Sequence, residues 1–222
     1  MITVQLWNWI LRVSPVVTLA RRIAQLGIGL FLYGIGLALM IRAAIGVAPW
    51  DVLSQGVALQ SGIPFGVVTN IIGALVLLLW IPLRQKPGIG TVANVLMIGT
   101  SAQLGLTVIP EQSELWARVL MYAGGLALVA VATGLYIGAR FGPGPRDGLM
   151  TGIHARFGVR LWIVRTVIEV TVLAIGWLLG GNVGIGTLAF ALLIGPMVAV
   201  TIPPLMVPAA RKRDEHPRYA GY

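Results

Sequence analysis

Few residues in this 222-residue chain could do chemistry. There is no Cys, which excludes disulfides, thiolate nucleophiles and thiolate metal sites. His154 and His216 are the two histidines and lie far apart in sequence, which argues against a His-based metal site. No nucleophile–base pair or metal-ligand cluster is visible, so the chain is read as a non-enzyme with no metal or cofactor. What remains is a small set of ionisable and aromatic residues in apolar surroundings. Asp51 and Asp147 each stand two residues after a proline, with Trp50 and Arg146 directly before them. Arg165 and Glu169 sit at i, i+4 spacing, which puts them on one helical face where they can pair. A carboxylate facing a polar cavity can meet a proton, a cation or a substrate amine, and a charge within a membrane is costly enough to imply a function. Asp51, Asp147, Trp50, Arg146, Arg165 and Glu169 are therefore the candidates for a substrate or ion pathway.

Two turn motifs position these residues. Gly46-x-x-Pro49-x-Asp51-x-Leu53-x-x-Gly56 returns as Gly142-x-x-Pro145-x-Asp147-x-Leu149-x-x-Gly152. Proline ends an incoming helix and enforces an extended approach. An aspartate at a helix start accepts bonds from free N–H groups and complements the helix dipole. Asp51 and Asp147 are thus expected to N-cap short helices over 51–60 and 147–157, each too short to cross a bilayer. The second motif is Gly88-Ile89-Gly90-Thr91, repeated as Gly184-Ile185-Gly186-Thr187. Here each Thr is the expected N-cap of a following helix, the glycines allow a tight turn, and together they could offer N–H groups to an anion. The Lys-Ser/Thr ending of a phosphate-binding P-loop is missing. Asn70, Asn94 and Gln103 are expected to bridge helices by hydrogen bonds. Arg42 is expected to snorkel, and the glycines at 27, 29, 34, 36, 124 and 125 to allow close helix approach.

The elements carrying these motifs are membrane spans. The chain is 57% hydrophobic and 10% charged, with a mean hydropathy of +0.89, where a soluble domain is about a quarter charged. Six stretches are long enough to span: 22–41, 64–83, 91–108, 115–138, 160–180 and 186–207. With both termini cytoplasmic, thirteen Lys/Arg residues fall inside and two, Arg42 and Arg118, outside. The net charge of +9 therefore belongs to cytoplasmic loops and not to a nucleic-acid surface. Residues 1–20, with Trp7 and Trp9, are read as an interfacial segment and 209–222 as a basic cytoplasmic tail.

Slid by 96 residues, the sequence matches itself without a gap, and 25 of the 71 positions from Gly29 to Gly99 are identical to their partners. That is a duplication. Repeat 1 covers 21–110 and repeat 2 covers 111–208, each with three spans and one short helix. Three is odd, so the second repeat should enter from the opposite side. The expected fold is an all-α membrane protein of two inverted three-helix repeats. Such pseudosymmetry, with helices broken by Gly and Pro at matching positions, is the pattern of secondary transporters with a site near the midplane. Arg165 and Glu169 break the symmetry, since their repeat partners are Thr69 and Gly73; so does Trp50 opposite Arg146. The functional expectation is a small-molecule transporter, with Asp51 and Asp147 in opposite vestibules. The alternative is a non-transporting scaffold or accessory protein acting through a partner by its basic tail. The partners expected are the lipid bilayer, an unidentified small molecule and, as an option, further copies of the chain; no nucleic acid is expected.

"GVAPWDVLSQG", "GIPFGVVTNIIG" and "PGIGTVANVLMIG" together resemble the bacterial YczE-type integral membrane proteins over residues 20–205. The resemblance implies a bacterial inner-membrane location and a shared fold. It carries over no catalytic residue.

Overall fold

The computed structural model describes residues 15–207, so Trp7, Trp9 and the basic tail lie outside the described residues. All regular structure in the described residues is helical. The order is α1 (Pro15–Ala43), α2 (Pro49–Ser61), α3 (Phe65–Leu78), α4 (Ile89–Val108), α5 (Leu115–Gly138), α6 (Pro145–Phe157), α7 (Leu161–Leu178) and α8 (Ile185–Leu205). α1, α4, α5, α7 and α8 are long and apolar enough to cross a membrane.

The sixth expected span, 64–83, is not one helix. α3 has 14 residues, about 21 Å of rise against roughly 30 Å of hydrocarbon. It qualifies only with α2, across a bend of 118°. The apolar run continues past Leu78, but Pro82 disfavours helix at Ile81. In addition, the Trp80 indole N–H donates to Pro145 O at 3.0 Å and holds the chain against α6.

The short helices begin two residues earlier than expected. Pro49 and Pro145 are their first residues, where a missing N–H costs nothing. The N-caps are Ala48 and Gly144, in extended conformation, and no side chain caps either helix. Asp51 and Asp147 occupy the third helical position, still favoured by the dipole. Thr91 and Thr187 likewise stand third and not at the cap. Their hydroxyls accept from Gly88 N–H at 3.2 Å and Gly184 N–H at 3.3 Å.

Local structure repeats at the 96-residue offset. α2, α3 and α4 start at the partners of the first residues of α6, α7 and α8. The left-handed residues pair the same way: Ala44 with Arg140, Gly46 with Gly142, Gly62 with Gly158, Arg84 with Gly180. Contacts between the halves are reciprocal. Arg22 donates to Ala139 O and Arg140 O, both at 2.8 Å. Its partner Arg118 donates to Ala43 O at 2.7 Å and Ala44 O at 2.5 Å. Gly90 N–H meets Phe141 O at 3.0 Å, and Gly186 N–H meets Ile45 O at 2.8 Å. α1 and α5 form the central pair, antiparallel, with Gly29 against Ala132–Tyr136 and Gly36 against Gly125 and Val129. In lipid the hydrophobic effect does not drive helices together, so close packing at small residues supplies the attraction. Leu30, Leu37, Met40 and Val129 fill the core beside them.

The halves differ in where their third element sits. α3 packs on α4, where Gly66 and Gly99 bring the backbones together. Asn70 Nδ2 donates there to Leu96 O at 3.3 Å and Thr100 Oγ1 at 3.1 Å, and Gln103 Oε1 accepts from Gly66 N–H at 3.0 Å. α7 instead barely touches α8 and packs on α2 of the other half, with the α2 backbone at Val52–Leu53 against Gly176. The equivalent approach of α6 to α3 is propped open by the Trp80 indole over Gly148. Trp80 and Gly176 are repeat partners, so a large-for-small exchange accompanies the asymmetry.

Candidate functional site: a polar cavity where the short helices meet

α2 and α6 point their N-termini at each other between α1, α5, α7 and α8. Asp51 is fully buried on α2, with Arg146 Nη2 of α6 3.6 Å from its Oδ1. The Arg146 guanidinium also stacks over Trp50, 5.1 Å from the ring centroid. On α7, Arg165 Nε lies 2.9 Å from Glu169 Oε1, the expected i, i+4 pair. Tyr33 of α1 and Tyr136 of α5 meet edge to face, with centroids 6.1 Å apart. The Tyr136 hydroxyl faces the Asp147 carboxylate.

Two cavities adjoin here. The larger, about 210 Å³, is lined by Trp50, Arg146, Asp147, Arg165 and Glu169, with Phe190 of α8. The smaller, about 100 Å³, is lined by Thr69 and Gly73 of α3, Asn94 of α4, Gly144 and Asp147. Tyr33, Tyr136, Arg146 and Asp147 line both. The cavities are repeat partners of one another: Thr69, Gly73, Asn94, Ile98, Gly144, Pro145 and Arg146 of the smaller correspond to Arg165, Glu169, Phe190, Ile194, Ala48, Pro49 and Trp50 of the larger. They are two faces of one centre, and the second repeat carries the charges.

Five of the six pathway candidates thus share the larger cavity, and the sixth, Asp51, is sealed behind Arg146. The two aspartates do not occupy separate vestibules: Asp147 opens on both cavities, and Asp51 lines neither. The turn motifs lie elsewhere. Gly90 and Gly186 donate their N–H groups to the opposite half, and Thr91 Oγ1 donates to Pro143 O at 2.8 Å, which leaves no cradle for an anion. Gly46 packs against Gly184, and Gly142 against Gly88 and Thr91. Gly56 approaches Gly176, and Gly152 approaches Gln85. Arg42 does not snorkel freely but binds Leu106 O and, at 2.5 Å, Glu111. Asn94 faces the cavity, whereas Asn70 and Gln103 bridge α3 and α4 as expected. The sequence reading missed Tyr33, Tyr136 and Phe190. Phe190 was within reach, as the repeat partner of Asn94. It also missed buried Gln25, which donates to Leu135 O at 3.1 Å and Leu205 O at 2.6 Å and ties α1 to α5 and α8.

Fold and site together define a multi-helix membrane protein with a charged cavity between its halves. The chain belongs to the DUF6198 family of unknown function, whose model matches residues 20–203. It is 37% identical over 178 residues to an uncharacterized protein of Haemophilus influenzae, covering 80% of this chain and 82% of that one. It is 31% identical over 177 residues to the uncharacterized membrane protein YczE of Bacillus subtilis, covering 79% and 82%. YyaS of the same organism, also uncharacterized, is 26% identical over 181 residues, covering 80% and 90%. The YczE-type resemblance carried by the Pro-Trp-Asp motif is therefore a family relationship. No solved structure matches the chain.

Proposed function

We propose that the protein is a small-molecule carrier of the bacterial cytoplasmic membrane, built from two inverted repeats with its site at the junction of α2 and α6. Both termini are assigned to the cytoplasm by the Lys/Arg distribution. The reciprocal contacts and the antiparallel α1–α5 pair support opposite insertion of the halves. One observation carries the transport reading. Gly99 and Gly195 are repeat partners, yet a Cβ at Gly99 would collide with α3, while one at Gly195 meets nothing within 4 Å. Gly195 lines the larger cavity, in the gap between α7 and α8. Halves of like sequence held in unlike packing can exchange their roles, which closes one access and opens the other.

Uptake by proteoliposomes holding the full-length chain, with a panel of labelled amines, amino acids and sugars, tests this. Solute accumulation over empty liposomes, reduced by Asp147→Asn, is expected. No uptake of any compound by protein that is folded and inserted would sink the carrier reading. Uptake that survives removal of residues 209–222 would separate it from a scaffold acting through its tail.

A further inference from the structure

The charges around the centre do not balance. Asp51 is matched by Arg146, and Arg165 by Glu169. Asp147 has no ion pair among the described residues. The repeat explains why. By repeat position Arg146 and Asp51 correspond to Trp50 and Asp147, so the place that supplies Asp51 with a guanidinium is held by an indole in the other half. The charged groups that bear on Asp147 are Arg165 and Glu169 from α7 and Arg146 on its own helix. Each of these is engaged with a partner. Tyr136 of α5 and Tyr33 of α1 add only neutral hydroxyls.

Around Asp147 the polar side chains share one small cavity. Asp147, Asn94 and Tyr136 line it together, and beside Gly144 the nearest side-chain atoms are Asp147 Oδ2, the donor Asn94 Nδ2 and the Tyr136 hydroxyl. Thr69 lines the same small cavity; it is 6% exposed, and its hydroxyl has no hydrogen-bond partner. A buried hydroxyl of this kind needs a partner, and an unmatched carboxylate inside a membrane protein needs a positive charge. One carboxylate with neutral oxygens suits a hard monovalent cation better than a divalent one. A volume of about 100 Å³ holds such an ion with a few waters.

We propose that Asp147, with the hydroxyls of Thr69 and Tyr136, binds an exchangeable monovalent cation that does at Asp147 what Arg146 does at Asp51. The cation is an alkali ion or a proton. Its role as the coupling ion rests on the carrier reading; its binding does not.

The test uses the purified full-length chain in lipid nanodiscs. Binding of labelled sodium and thermal unfolding are measured in sodium, lithium, potassium or choline chloride at constant ionic strength. An alkali occupant gives saturable binding near one ion per chain and stabilisation over choline. Both are lost in Asp147→Asn, and Thr69→Val weakens binding about tenfold. A proton occupant gives no alkali effect, but the wild type releases one proton more than Asp147→Asn when pH is raised. Thr69→Val, which keeps Asp147 in place, stands as the second variant should Asp147→Asn fold poorly. Neither alkali binding nor the extra proton, or the same signal in Asp147→Asn, overturns the proposal. Solute uptake by protein that shows neither signal would overturn it and leave the carrier reading intact. Cation binding without solute uptake would do the reverse.

Discussion

Gly99→Ala and Gly195→Ala add the same methyl group at positions 96 residues apart, and the structure gives them opposite consequences. At Gly99 the new Cβ would strike the Gly66 carbonyl and lie 2.9 Å from Asn70 Cγ, so α3 must move off α4. Three hydrogen bonds cross that contact, from Asn70 to Leu96 and Thr100 and from Gly66 to Gln103. Within a membrane each contributes about 0.6 kcal/mol. Overpacking adds about 1–3 kcal/mol, and alanine returns up to about 1 kcal/mol of helix propensity. The net loss is about 2–4 kcal/mol for Gly99→Ala. At Gly195 the methyl meets open space, so the change is neutral or stabilising by up to about 1 kcal/mol. Unfolding of each variant in mixed micelles by SDS titration measures both. If the halves exchange roles, Gly195 takes the place of Gly99 in the other state, and Gly195→Ala slows uptake despite its stability. Equal destabilisation by the two substitutions, or a Gly99→Ala protein within about 0.5 kcal/mol of wild type, would refute the reasoning.

Arg22→Gln and Arg118→Gln each remove a two-carbonyl clamp at opposite ends of the α1–α5 pair. Each should cost about 1–3 kcal/mol, and the double variant should be additive by the same titration, because the sites share no partner. Arg146→Gln leaves Asp51 buried without a counter-charge and should cost about 3–5 kcal/mol. Adding Asp51→Asn should recover much of that loss, and a double-mutant cycle reads the coupling. Gly148→Ala drives a methyl into the Trp80 ring and threatens its bond to Pro145. A loss of about 2–4 kcal/mol and a shifted Trp80 fluorescence are expected.

Much of this architecture was legible in the sequence because duplication writes each structural demand twice. The Pro-x-Asp and Gly-Ile-Gly-Thr motifs marked helix starts correctly to within a few residues, and Arg165 with Glu169 was readable from spacing alone. Helix-start chemistry was misplaced because Pro49 takes the first helical position and Gly88 the N-cap, which moves Asp51 and Thr91 to the third position. α3 ends early through a hydrogen bond between Trp80 and Pro145 that local pattern cannot show. Tyr33 and Tyr136 look like ordinary aromatic residues in apolar spans; only the crossing of α1 and α5 turns them toward Asp147. The asymmetry of α3 and α7 is long-range for the same reason, although Trp80 opposite Gly176 in the repeat is its visible trace.

The carrier account stands on exchange between the two packings. The chain has no cysteine, so introduced pairs label cleanly. Val167→Cys with Leu192→Cys reports the α7–α8 distance, and the repeat-equivalent Ile71→Cys with Leu96→Cys reports α3–α4; all four sites are exposed. Pulsed electron resonance on spin-labelled protein in nanodiscs, with sodium or choline and across pH, measures both. The account predicts two populations for each pair, with the α7–α8 distance shortening as the α3–α4 distance lengthens. A single fixed distance for each pair under every condition would contradict it.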